Sequence, residues 1–600
     1  MVTGTHRKDT TMIHRRASII AGFVALALVT GSTVLAQEAK VPVTEITLEN
    51  GMKLLLVERH ESPRVAAGWG AHAGSVNEEV GVTGIAHLFE HMMFKGTNTI
   101  GTSDYEAEMK IMAQLDEIRT QMDVEYTALR DAKRRGEVTG SIYLPENQTA
   151  RLAELREKMK ELQEAQRSHI VNNEYDKIYT NQGATGLNAG TNQDATVYFI
   201  DVPANRLELW FWMESDRLLN AVFREFYSER DVVREERRMR VESNPTARFE
   251  EQFDFMFWGS IPYHHPVIGW PSDVESINRA QAENFFNTFY APNNITAALV
   301  GDFDTDEAVA LAKKYFGRIP RGENDPPEII TEEIEQIQER RMTATADTNP
   351  SVQIRWHAVS FVNRDSYALD VMTEILSGRT GRFYKALVEE KGLATGEPYA
   401  YLSAQKFAGS VEVGAELVEG VNHQAVEAAL LAEIELLKKE PVSERELAKV
   451  KNQNLADSFR RLQSNFYLLL QLLFYDVLGD WQYLNTSPAE IQAVTTEDVM
   501  RVANDYFPAE GKNVLWYHRK EGSDEDPDLA ALEGQSKMMA KQAIAQINQS
   551  TDPAELEQML SQIQTMKGQA PPEFHAALDL IMQRAQERLS ALAEGTGEEE

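Results

Sequence analysis

The chain has 600 residues, 42% of them hydrophobic, a formal charge of −33 and no cysteine. That charge argues against nucleic acid as a partner, since phosphate binding needs clustered cations. The missing thiols exclude disulfides, thiolate zinc sites and cysteine nucleophiles. At roughly 100–200 residues per domain, two to four units are expected.

Residues 1–36 read as a secretory signal peptide. His14-Arg15-Arg16 precedes an apolar run from Ala17 to Leu28, and Val34-Leu35-Ala36 offers small residues for cleavage. The run is too short for a confident membrane span. The mature chain is therefore expected in the periplasm without stable membrane insertion, and Met12 is a second candidate start. A first unit spans 41–325. Val43–Leu48 and Met52–Val57 flank Asn50-Gly51 and read as a hairpin, and Arg64–Trp69 follows as a third strand.

The next segment, Gly84–Gly96, contains His87-Leu88-Phe89-Glu90-His91. A helix puts residues i, i+3 and i+4 on one face, so both imidazoles and the carboxylate converge. Two histidines one turn apart suit zinc, and the carboxylate suits a general base. The order is the inverse of H-E-x-x-H, the pattern of the inverted zinc peptidases. Two ligands are too few, so a third is needed.

From about 103 to 180, apolar residues recur at helical spacing (Ile111, Leu115, Ile118, Met122, Tyr126, Leu129, then Leu152, Leu155, Met159, Leu162). This predicts an antiparallel helical hairpin inserted in the first unit. A strand at Thr196–Val202 follows, then a helix through Leu207–Met213 and a long charged helix from Ser228, its N-cap, to about Glu242. On that helix Glu229 and Glu236 are two turns apart and share a face, whereas Glu235 and Glu242 fall off it. Among so many carboxylates, spacing alone leaves the third ligand open. His264-His265, flanked by prolines, reads as a loop feature rather than a metal pair. The strand Thr296–Gly301 and a helix near Glu307–Tyr315 close the unit.

Within a Pro-, Glu- and Asp-rich stretch, residues 326–345 form a linker. The unit 346–520 then repeats the grammar: strands at Val352–Trp356, Tyr399–Leu402, Ser410–Val413 and Asn513–Tyr517, with helices at 365–377, 381–390, 422–438 and 443–475. Two α+β units of similar order suggest a duplicated domain. Residues 521–600 read as a helical tail.

The ordered set His87–His91, Lys95-Gly96-Thr97, Asn188-Ala189-Gly190-Thr191 and Glu229–Glu236 resembles the pitrilysin-type (M16) zinc peptidases, above all their bacterial processing-peptidase-like (M16B) branch. The resemblance covers 41 to about 520. It implies His87, His91 and Glu236 as ligands of one Zn2+ per chain, Glu90 as base, and Glu229 as a carboxylate supporting the site. Asn188 and Ala189 would lie on an edge strand that pairs with an extended peptide. Zinc would acidify a water, and Glu90 would take its proton and return it to the leaving amine.

The fold implied is two homologous α/β-sandwich domains forming one half of a clamshell around short or unfolded peptides. The other half would supply an Arg and a Tyr that hold substrate. Here Leu387-Val388-Glu389-Glu390-Lys391-Gly392-Leu393-Ala394-Thr395 fits that segment, with Val388 and Thr395 where the Arg and Tyr belong. Tyr399 and Tyr401 fall on one face of a later strand. A heterodimer is therefore expected, with a homologous subunit carrying the Arg/Tyr pair. The alternative is a non-catalytic scaffold or peptide-binding subunit of the same fold.

Overall fold

Leu54-Leu55-Leu56-Val57 and Ala297-Ala298-Leu299-Val300 are unbroken apolar runs, the pattern of strands buried on both faces. The computed structural model describes residues 40–520, 527–532, 534–550, 552–568 and 570–595; the expected signal peptide lies outside them. The first strands are β1 (Thr44–Thr47), β2 (Lys53–Glu58), β3 (Arg64–Ala71), β4 (Thr185–Thr191), β5 (Thr196–Pro203) and β6 (Ile295–Gly301). They form one sheet in the order β1-β2-β6-β3-β5-β4, with β2 and β6 parallel. Between β3 and β4 the chain makes α1 (Ile85–Met92), α2 (Tyr105–Arg134), α3 (Ala150–Arg167) and α4 (Glu174–Asn181); α5 (Phe226–Arg237) follows β5.

Side chains alternate across each strand. On one face Leu54, Leu56, Ala67, Trp69 and Leu299 pack with Leu88 and Phe89 of α1. On the other, Leu55, Val57, Ala66, Val197, Ala298 and Val300 meet Leu468, Leu469, Leu472 and Leu473 of α6 (Asn465–Leu478). Each of those four leucines is fully buried, worth about 1.5–3 kcal/mol apiece. Gly68 of β3 admits this helix: a Cβ there would lie 2.6 Å from the Tyr198 carbonyl and 3.3 Å from Leu473. Asp476 of α6 then reaches the sheet, accepting from Lys53 at 2.7 Å and Thr296 at 2.5 Å.

A second sheet contains β7 (Arg340–Ala346), β8 (Ser351–Ala358), β9 (Ala394–Ala404), β10 (Gly409–Leu417) and β11 (Asn513–Arg519), in the order β7-β11-β8-β10-β9. Helices Asp365–Leu376 and His423–Lys439 share its core with Val352, Ile354, Val411 and Val413. Among the described residues the molecule is thus a mixed helix-and-sheet protein with two sheets. The described residues from 518 onward, with 345–348, form a separate compact unit, in which helices Gly534–Gln549, Pro553–Lys567 and Pro572–Gly595 bury Ile547, Leu556, Leu578 and Ile581.

The helices α2 and α3 are capped by the side chains of Asp104 and Thr149 and joined along Met122, Tyr126, Leu152 and Leu155. Several local readings change. Residues 48–52 separate β1 from β2, so Asn50-Gly51 is not a two-residue turn; the Asn50 amide is instead drawn inward to the carbonyls of Phe316 and Ile319. The helix expected from Ser228 starts at Phe226, because Phe226 and Tyr227 are buried in the core. Ser228 caps nothing and accepts from Gln163. That helix ends at Arg237, and Arg238–Glu242 continue as a π-helical turn. The helix expected over 443–475 is two, Glu444–Leu462 and α6, because the Ser464 side chain caps the second. Strand β7 forms where the end of a linker was expected, paired beside β11.

Candidate metal centre

The first turn of α1 has backbone N–H groups with no partner in the helix. Glu78, buried, accepts from two of the amides here, Gly84 and Ala86, each at 2.8 Å. His265 in turn holds Glu78 at 3.1 Å and the Ser75 carbonyl at 2.8 Å. Burial raises the Glu78 pKa, against the hydrogen bond from His265. Gly84 precedes the helix at φ +89°, and a Cβ there would fall 2.7 Å from the Ile268 carbonyl. The chain therefore enters α1 through a fixed, glycine-dependent corner.

From α1, His87 and His91 project with ring centroids 5.0 Å apart. Glu236 on α5 faces both: its Oε2 lies 3.8 Å from His87 Nε2 and 3.4 Å from His91 Nε2. One donor atom from each of His87, His91 and Glu236 falls within 4.8 Å of the others. Burial, then the charge of His91, holds the His87 imidazole down to about 3, so it stays neutral as a ligand must. Two imidazoles and a carboxylate with space between them fit a catalytic zinc.

Glu229 also contacts His91. Its Oε2 sits 3.4 Å from His91 Nδ1, which leaves Nε2 of His91 turned to Glu236. Lys95, just past α1, contacts Glu229 and lies 3.3 Å from Glu225. Burial works against the charge of His91, but Glu229 outweighs it and raises the pKa. Glu236 is also paired with Arg240 at 2.9 Å. The Nδ1 of His87 is buried without a hydrogen-bond partner.

Glu90 points to the same space. Its Oε2 accepts from Thr191 Oγ1 at 2.6 Å, and burial raises its pKa, with the Thr191 bond opposing. Thr191 ends β4, the outermost strand of the first sheet, which carries Asn188 and Ala189. Asn188 is exposed, with Oδ1 accepting from the Ala189 amide at 2.8 Å. Elsewhere, Val388 is half-buried against the second core and Thr395 is exposed. Tyr399 and Tyr401 lie side by side on β9, 5.9 Å between rings, with Tyr399 bonded to Glu412.

Sequence reasoning missed Glu78 and the Thr191 contact, and gave Lys95 no role. Thr191 and Lys95 carry no local spacing signal, because Glu90 and Glu229 are far from them along the chain; Glu78 lies only six and eight residues before the amides it holds, but outside the helix itself.

Two sheet-and-helix layers with a paired-histidine helix on the first place this molecule among the two-domain peptidase folds. Residues 53–129, which include His87–His91, match the insulinase (peptidase family M16) profile, and 276–454 match the peptidase M16 inactive domain. Both matches are to models of the M16 family. It is 25% identical over 515 residues to the zinc protease PqqE of Helicobacter pylori, covering 83% of this chain and 97% of that one. The crystal structure of a protease from Helicobacter pylori matches with a TM-score of 0.64 at 22% identity, over 80% of this chain and 99% of that one. The first half of the periplasmic protease PqqL from Escherichia coli matches with a TM-score of 0.56 at 18% identity, over 81% and 94%.

Proposed function

We propose that this chain is a zinc-dependent endopeptidase subunit of the M16B branch, acting on short or unfolded peptides in the periplasm. The observation that carries the reading is Glu90, held by Thr191 beside the convergence of His87, His91 and Glu236. One Zn2+ per chain would be held by those three residues. Zinc, when bound, supplies Lewis acidity that acidifies water and polarises a carbonyl. Glu90 accepts the proton of the attacking water and passes it to the leaving amine, a double task suited to a carboxyl whose pKa is raised by burial. Glu229 keeps His91 in the tautomer with Nε2 free. Asn188 and Ala189, on an open sheet edge, pair with the backbone of an extended peptide.

Val388 and Thr395 support a heterodimer, since valine cannot bind a carbonyl or carboxylate and threonine is too short to replace the phenol of the family's Tyr. The match of 276–454 to an inactive domain keeps a second reading, a peptide-holding subunit without turnover. One experiment separates them. Metal content and peptide cleavage are measured for the wild-type chain and Glu90→Gln, alone and with a homologous Arg/Tyr-bearing subunit. The peptidase reading expects one zinc in both, and turnover at least about 10²-fold lower in Glu90→Gln. Equal turnover in the two would overturn it, and full activity without a partner would remove the heterodimer.

A further inference from the structure

A cavity of about 400 Å3 lies in the second half of the chain, with no lining residue before Phe361. The helices Asp365–Leu376, Glu444–Leu462, α6 and Tyr483–Ala493 wall it, together with the end of β9. Charges of both signs meet there without pairing. The Asp370 carboxylate has no hydrogen-bond or ion-pair partner among the described residues, and burial pushes its carboxyl up to about 6, with the charge of Arg461 opposing. Arg461, exposed near the end of its helix, acts on both Asp370 and Glu374 but forms an ion pair with neither. Glu374 is taken instead by the Asn454 amide at 2.8 Å. From α6 comes Gln471, whose Oε1 is buried without a hydrogen-bond partner. Buried acceptors are rarely left unsatisfied in folded proteins, and each one points to a missing partner. Aromatic rings stand beside these groups: those of Tyr475 and Tyr483 lie 5.1 and 5.3 Å from that of Phe361. Leu402, Leu484 and Ile491 complete an apolar wall.

We propose that this cavity binds a free α-amino acid with an apolar side chain, its ammonium taken by Asp370 and the Gln471 carbonyl and its carboxylate by Arg461. Elimination selects that class. A simple amine would make no use of Arg461, and a simple carboxylate would leave Asp370 and Gln471 as they are. An amino acid carries both charges on one carbon, which suits an acid and a guanidinium that act on each other without touching. The faces of the three rings add attraction for the ammonium, and the apolar wall takes the side chain. The volume falls in the range of small-molecule sites. No residue of the metal centre lines the cavity, so the proposal stands apart from the peptidase reading. Helix α6 turns Gln471 and Tyr475 to the ligand and Leu468, Leu469, Leu472 and Leu473 to the first sheet. A bound amino acid therefore braces the helix that covers that sheet.

The test is isothermal titration calorimetry on the full-length chain. The probes are leucine and phenylalanine, each also as its amide, which lacks the carboxylate, and as its N-acetyl form, which lacks the ammonium. At least one free amino acid is expected to bind about tenfold more tightly than either of its derivatives, the value of one charge-assisted hydrogen bond. It should also raise the melting temperature, as a ligand of the folded state does. Arg461→Gln should erase the advantage over the amide, and Asp370→Asn the advantage over the N-acetyl form. Both variants should unfold at the wild-type midpoint without ligand, since neither side chain has a partner to lose. Binding of neither amino acid, amides that bind as tightly as the free forms, or a preference that survives in both variants overturns the proposal. Turnover is not part of the readout, so loss of cleavage in the wild-type chain would count against the peptidase reading alone.

Discussion

Lys95 and Glu229 form an ion pair that ties the end of the histidine helix to the helix carrying Glu236. The same Glu229 faces His91 Nδ1, so one carboxylate bears on both the spacing of the two helices and the orientation of the His91 ring.

Replacing Lys95 with methionine removes the cation and keeps the bulk. Supporting groups of this kind are worth about 10–100-fold in metal affinity. Competition with a chelator should show zinc affinity reduced by that range. Removal of zinc from the wild-type chain should lower its melting temperature, since a ligand bound only by the folded state stabilises it by mass action. Lys95→Met should show a smaller zinc-dependent shift at the same free zinc.

Glu78 closes the first turn of α1 with two amide bonds. Glu78→Ala leaves those amides without an acceptor and should cost about 1–2 kcal/mol in denaturant unfolding. His265→Ala should cost less, because the amide bonds remain. A Glu78→Ala chain as stable as wild type would show the corner is held by other contacts.

Asp476 has a fully buried side chain. Burial alone would raise its pKa, but bonds from His72, Lys53 and Thr296 outweigh this and lower it to about 2. A depressed carboxylate contributes stability that is fully present above its unfolded value near 4. That stability is lost as pH falls toward 2, and amounts to about 2 kcal/mol. The stability gap between wild type and Asp476→Asn should therefore narrow between pH 4 and pH 2, and be constant above pH 5. A gap that widened toward acid would contradict the assignment.

Glu108 and Arg224 are a buried pair, 3.0 Å apart, at the base of the α2–α3 hairpin. Glu108→Ala strands a guanidinium in the interior and should cost about 3–5 kcal/mol. Adding Arg224→Met to Glu108→Ala should recover part of that loss, a coupling readable in a double-mutant cycle by thermal unfolding.

What could be read from the chain depended on range. The convergence of His87, Glu90 and His91 needs only helical periodicity, and the sharing of a face by Glu229 and Glu236 only two turns more. The choice of Glu236 among 93 acidic residues came from the order of motifs, not from spacing. Thr191 meets Glu90 across 101 positions and His265 meets Glu78 across 187, and no local pattern records such meetings. Boundaries failed where a tertiary contact overrode a local cue. Ser228 looked like a cap, yet burial of Phe226 and Tyr227 pulled the helix start back to the left-handed Glu225. Ser464 lies in the polar stretch just before the apolar run from Phe466 and divides what periodicity joined into one helix.

The seating of α6 on the first sheet has a consequence for biosynthesis. The outer faces of β2, β3 and β6 find their cover in a segment more than 160 residues further along. A chain made from its N-terminus must therefore carry Leu55, Val57, Ala298 and Val300 uncovered until residue 478 has emerged. A fragment ending near 325 should therefore be recovered from inclusion bodies unless residues 465–484 are supplied in trans.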